Sequence, residues 1–148
     1  MMEAIDHKSI GAATYNRCWK LLEALRRTSE QDRELLTCAF TSRYHWNQVG
    51  GAEQLVMSDW MVSRAAAAIG EGSIAVDYAR RAVDGARAPG TPDWLVASAA
   101  EGMARACDAA GDEAQREQWY RQAVELTAKI ADAEDRELIE GQLSEVPH

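Results

Sequence analysis

Shifted by 41 residues, the chain matches itself. Arg64, Ala65, Ala68 and Gly70 fall on Arg105, Ala106, Ala109 and Gly111, and the match resumes where Ala82-Val83 meets Ala123-Val124. Moved back by the same step, Trp60 lies over Trp19, Ala65 over Ala24 and Gly70 over Ser29. That first unit is weaker, as expected of a terminal repeat. A period of this length encodes one supersecondary unit per repeat, and such a unit can bury its apolar face only by stacking on its neighbours.

The content of each unit reads as two helices. The chain holds 27 Ala but only 3 Pro and 1 Phe, a balance that favours helix over a β-sandwich. Seven helical segments can be marked from periodicity and breakers. The first covers about 9–27, with Ile10, Tyr15, Cys18, Trp19, Leu22 and Leu25 at three- and four-residue spacing. Ser29 is the expected N-cap of a second, which ends at Gly50-Gly51, and a third runs over 52–69 to Gly70. Ser73 caps a fourth that stops before Ala88-Pro89-Gly90. Thr91 as N-cap with Pro92 in the first turn opens a fifth that closes at Gly111. Asp112 starts a sixth, which reaches about Ile130, and 133–145 form a short acidic seventh. Short connections force neighbouring helices into antiparallel hairpins. The sequence therefore predicts an all-α superhelix in one domain over 1–148. Its hairpins span 9–50, 52–88 and 92–131, and a capping helix at 133–145 closes it.

Charge narrows the classes of partner. Sixteen basic and 24 acidic residues leave −8, and residues 75–148 carry −7 of it. Such a field repels nucleic acid and anionic membrane, so neither is an expected partner. No apolar run is long enough to span a bilayer, and residues 1–12 lack the apolar core of a signal peptide. Cys18, Cys38 and Cys107 are odd in number and lack CxxC spacing, which fits free thiols in a reducing compartment. The expected location is the cytoplasm.

Gly111, Tyr120 and Ala123, with Gly70, Ala75 and Ala82 one unit earlier, resemble the tetratricopeptide-repeat pattern of a turn glycine, small residues and an aromatic. Arg116 and Ala79 depart from it, and the period exceeds 34 residues, so the likeness is to a divergent relative with longer helices. Segments such as Ser42-Arg43-Tyr44-His45-Trp46, and Asp59-Trp60 with Ser63-Arg64, are similar to a group of bacterial proteins of this fold that brings no activity with it. The resemblance implies a concave groove lined by the first helix of each hairpin. Its positions map to Asn16, Trp19, Glu23 and Arg26, then Met57, Trp60, Arg64 and Ala67, then Ser98, Glu101, Arg105 and Asp108.

No nucleotide-binding, hydrolase or zinc motif occurs, so no catalysis, cofactor or metal is expected. His7 and His148 are expected to be mobile. His45 is expected to bridge helices, although with Trp46 it is also a candidate ligand contact. Trp46 and Trp119 read as core, and Trp94 as a staple against the preceding hairpin. Trp and Arg are enriched at binding hot spots, and Arg64 and Arg105 share one step of the repeat. In the competing reading the arginines are neutralised locally, Arg105 by Glu101 and Arg64 by Asp59 or Glu23. The expected function is a non-enzymatic module binding a protein or peptide in the groove. The alternatives are a small-molecule or sensory pocket between hairpins, using His45, Trp46, Trp60 and Arg64, and a structural homodimer.

Overall fold

The computed structural model describes residues 4–148. Seven helices follow in order: α1 (His7–Glu23), α2 (Ser29–Val49), α3 (Ala52–Ala68), α4 (Gly72–Gly85), α5 (Asp93–Ala109), α6 (Glu113–Ala128) and α7 (Ala133–Leu143). No strand occurs among the described residues. The pairs α1/α2, α3/α4 and α5/α6 pack as hairpins, and α1, α3 and α5 touch in turn. These three first helices form an inner face, and α7 closes the end of the stack against α5 and α6. The fold is all-α, as the sequence predicts.

The repeat has a physical core in its turns. Gly70 and Gly111 both adopt positive φ, at 82° and 76°. After each, the next amide donates back over the turn, Glu71 N to Ala66 O at 2.9 Å and Asp112 N to Cys107 O at 2.9 Å. The glycine amides donate to Ala67 O and Asp108 O. This is the same left-handed helix stop used twice, one repeat apart.

Several helix boundaries differ from expectation for local reasons. Helix α1 ends at Glu23, not Arg27, because Arg27 folds back to donate to Leu21 O at 3.3 Å and pairs with Asp32 at 2.8 Å. Leu25 thereby leaves the apolar stripe and is fully exposed. The N-cap of α2 is Thr28, not Ser29: its Oγ1 accepts from Gln31 N, and Gln31 Oε1 accepts from Thr28 N, a closed capping box. Helix α4 starts at Gly72, ahead of Ser73, where a Cβ would stand 2.7 Å from the Ala110 backbone. Thr91 does not cap α5; its hydroxyl donates to Ala88 O, and Pro92 takes the cap position. Asp112 caps α6 by accepting from Gln115 N.

The core is built largely from alanine, with Leu35, Met61, Val62, Leu95 and Met103 as its larger members. Cys18 and Cys107 are buried in it, while Cys38 is half-buried. Burial pushes the Cys18 thiol up to about 12, with nearby Cys38 adding to the shift. Burial also raises Cys107 and Cys38. Since the thiolate is the nucleophile, maleimide at pH 8 is expected to label Cys38 alone in the folded protein and all three thiols in guanidinium. Fast labelling of Cys18 without denaturant, read by mass spectrometry, would contradict this packing.

Candidate functional site

Two glycines let aromatic rings sit against helices. A Cβ at Gly102 on α5 would come 2.8 Å from Cδ1 of Trp60, and one at Gly11 on α1 would come 2.9 Å from Nε1 of Trp46. Trp60 is thus drawn between α3 and α5, 5% exposed, with Nε1 donating to Ser98 O at 3.1 Å and reaching Glu101 Oε2 at 3.4 Å. Its partner across the inner face is Trp19 on α1, with ring centroids 5.7 Å apart and planes tilted by 35°. The two indoles are the same repeat position, and the third copy of that position is Glu101.

Glu101 is completely buried, and Arg105 one turn later grips its Oε1 with Nε at 2.9 Å and Nη2 at 2.6 Å. Arg105 Nη2 also donates to Gln142 O at 3.0 Å and meets Glu145 at 3.2 Å. Glu145 is shared, because Arg64 Nη2 reaches it at 2.8 Å. Arg64 lies 5.5 Å from the Trp19 ring centroid and 5.7 Å from that of Trp60. Burial pulls its guanidinium below the ordinary value, helped by neighbouring Arg105 and opposed by Glu101 and Glu145. Its Nη1 is buried without a hydrogen-bond partner.

The expected groove is therefore not open along its length. Helix α7 lies over its third step, so Ser98 and Glu101 are buried, and the Ser98 hydroxyl donates to Gln142 Oε1 at 3.2 Å. Helix α7 is fixed there by Ile139, Leu143 and Val146, all buried, and by Asp93 Oδ2, which accepts from Ala131 N at 3.0 Å. Arg105 is neutralised by Glu101, as the competing reading holds. For Arg64 neither expected partner serves: Asp59 is taken by Arg43 at 2.6 Å, and the carboxylate comes from Glu145. Asp108 turns to α6 and pairs with Arg116 at 3.1 Å, away from the inner face.

What remains between α1, α3, α5 and α7 is a cavity of about 430 Å³. Tyr15, Trp19 and Glu23 line it from α1, Met57 and Trp60 from α3, Trp94, Leu95 and Ser98 from α5, and Leu138, Ile139 and Gln142 from α7. Burial raises the Tyr15 phenol above its ordinary value, and Trp19 partly offsets this. Leu138 of α7 is 60% exposed at this site. A larger hollow of about 790 Å³ among Gly72, Asp77, Arg80 and Asp112 includes no aromatic ring.

The remaining candidates lie elsewhere. Asn16 and Trp46 share a smaller cleft with Met57. His45 lines none of these cavities; its Nδ1 faces Nδ1 of His7 at 2.8 Å, bridging α1 and α2. His7 is thus held and is the first residue of α1, not a mobile lead-in. His148 is held too, stacked on Tyr120 with centroids 4.3 Å apart. A single pocket made from His45, Trp46, Trp60 and Arg64 does not form. Sequence reasoning missed Tyr15, Trp94, Leu138 and Gln142 as lining residues; they meet only because α7 packs on α5 and faces α1 and α3 across the cavity.

Among the described residues, no three His, Cys, Asp or Glu side chains gather in a way that could hold a metal ion. No helix among them is long and apolar enough to cross a membrane. The chain matches no protein-family model, no curated protein and no solved structure.

Proposed function

We propose that this protein is a non-enzymatic, tetratricopeptide-like binding module that takes one group of a partner peptide into the aromatic cavity of its inner face. The observation that carries this reading is the cavity itself. Its volume of about 430 Å³ lies within the roughly 300–1,000 Å³ typical of ligand sites, and few polar groups interrupt its apolar lining. The seating of α7 beside it supports a peptide as the source of that group. The inner face already holds the chain's own C-terminal segment, α7 through apolar contacts and Glu145 just beyond it through a carboxylate shared by two arginines, a chemistry akin to helix-in-groove recognition.

A free small molecule is the second reading, favoured by the same volume and by the closure α7 provides. A homodimer built on Trp19 and Trp60 would have to rest on Trp19, which is half-buried, because the Trp60 ring is buried within one chain.

Leu138→Arg tests the site without touching the core, since Leu138 is largely exposed. The unmodified protein is expected to retain a specific peptide from a proteolytic digest of host proteins. The variant, equally helical by circular dichroism, is expected to lose it. Equal retention by both proteins would remove the cavity from the binding site.

A further inference from the structure

We propose that the inner-face cavity binds a methylated ammonium group, either free in a small metabolite or carried on a peptide lysine. This deepens the reading of the cavity as a ligand site and rests on it.

The walls are three indoles and a phenol, from Trp19, Trp60, Trp94 and Tyr15. Aromatic faces attract cations through the ring quadrupole, most strongly for tryptophan and where water is excluded. The molecule already uses two of these rings in that way, since Arg64 rests against both Trp19 and Trp60. Arg64 is not a lining residue, and its charge and that of Arg105 are balanced by Glu101 and Glu145.

Charge selects the sign of the ligand. No lysine or arginine lines the cavity, and its one charged group is the carboxylate of Glu23. Glu23 is the last residue of α1, at the end of a helix where the macrodipole is negative. An anion would find no cationic side chain among the lining residues.

Methylation selects among cations. A bare ammonium is strongly hydrated and needs three acceptors. The cavity offers few, because Gln142 Oε1 already accepts from Ser98 and Ser98 O from Trp60. A quaternary ammonium donates no hydrogen bond, and its methyls bury against the rings. A neutral apolar group would bury against the same walls but gain no electrostatic attraction from Glu23 or the ring quadrupoles.

Calorimetry on the full chain separates these cases. The probes are tetramethylammonium, choline, the uncharged choline isostere 3,3-dimethylbutanol, and one short peptide with its lysine either unmodified or trimethylated. The methylated cations are expected to bind at least about tenfold tighter than the isostere. Glu23→Gln, at an exposed position, is expected to weaken them by about twofold to fivefold, less at high salt. Tighter binding of the trimethylated peptide than of choline would assign the group to a protein partner, and the reverse order to a metabolite. Equal binding of choline and its isostere would overturn the ammonium assignment while leaving the cavity a ligand site. Failure of every probe to bind would overturn the ammonium assignment, while the Leu138→Arg comparison alone decides whether the cavity is a binding site.

Discussion

Glu101→Ala is expected to destabilise the fold by about 3 kcal/mol or more, the scale for removing one partner from a buried ion pair. The carboxylate has no solvent exposure, accepts twice from Arg105 and is within reach of Trp60 Nε1. Without it, Arg105 keeps only Gln142 O and a half-exposed Glu145, so a largely buried cation is left undercompensated. For a chain of this size that loss corresponds to a melting midpoint roughly 6–12 °C lower. Replacing both members together, as Glu101→Leu with Arg105→Leu, is expected to recover most of the loss, because no lone buried charge remains. Chemical denaturation followed by circular dichroism reads both variants. A single variant within 1 kcal/mol of the parent would show that Glu101 contributes no such anchor.

The second large effect concerns Trp60, and its signature is a change of sign. Trp60→Ala is expected to cost roughly 3–5 kcal/mol, as for other buried aromatics. Gly102→Ala in the parent is expected to cost about 1–3 kcal/mol. The new methyl would meet the indole at 2.8–2.9 Å, and that ring is held by its hydrogen bond to Ser98 O. With Trp60 already removed, the same Gly102→Ala meets no ring and should instead stabilise, by up to about the 1 kcal/mol that separates alanine from glycine in a helix. Coupled sites show such non-additivity and independent ones do not. If Gly102→Ala costs the same in both backgrounds, the clash with Trp60 is not its cause.

These two residues also mark how far the sequence could be read. The Glu101–Arg105 pair was legible because it lies within one helical turn. The glycine stops at 70 and 111 were legible because they repeat. The partner of Arg64 was not. Asp59 and Glu23 looked suitable, but Asp59 serves Arg43 and the actual carboxylate stands 81 residues away. Helix α7 reads as an acidic cap from its own composition, and nothing local says that it lies across the inner face. The lining roles of Leu138 and Gln142 on α7, and of Tyr15 and Trp94 opposite them, were hidden for the same reason. The His7–His45 contact joins positions 38 residues apart and was equally beyond local pattern. Leu25 fails differently: its spacing fits the stripe of α1, but Arg27 and the Thr28 capping box end the helix before it.

The reach of Glu145 bears on how the stack comes apart. In a linear array each unit leans only on its neighbours, so the ends fray first and the middle outlasts them. Here Glu145, in the turn just past α7, ties the end of the chain to both α5 and α3, and α7 itself walls a cavity shared with α1. Peeling it away would strip counter-charge from the second unit as well as the third. The end most prone to fray is thus coupled to the centre, and unfolding should proceed as one cooperative event rather than hairpin by hairpin.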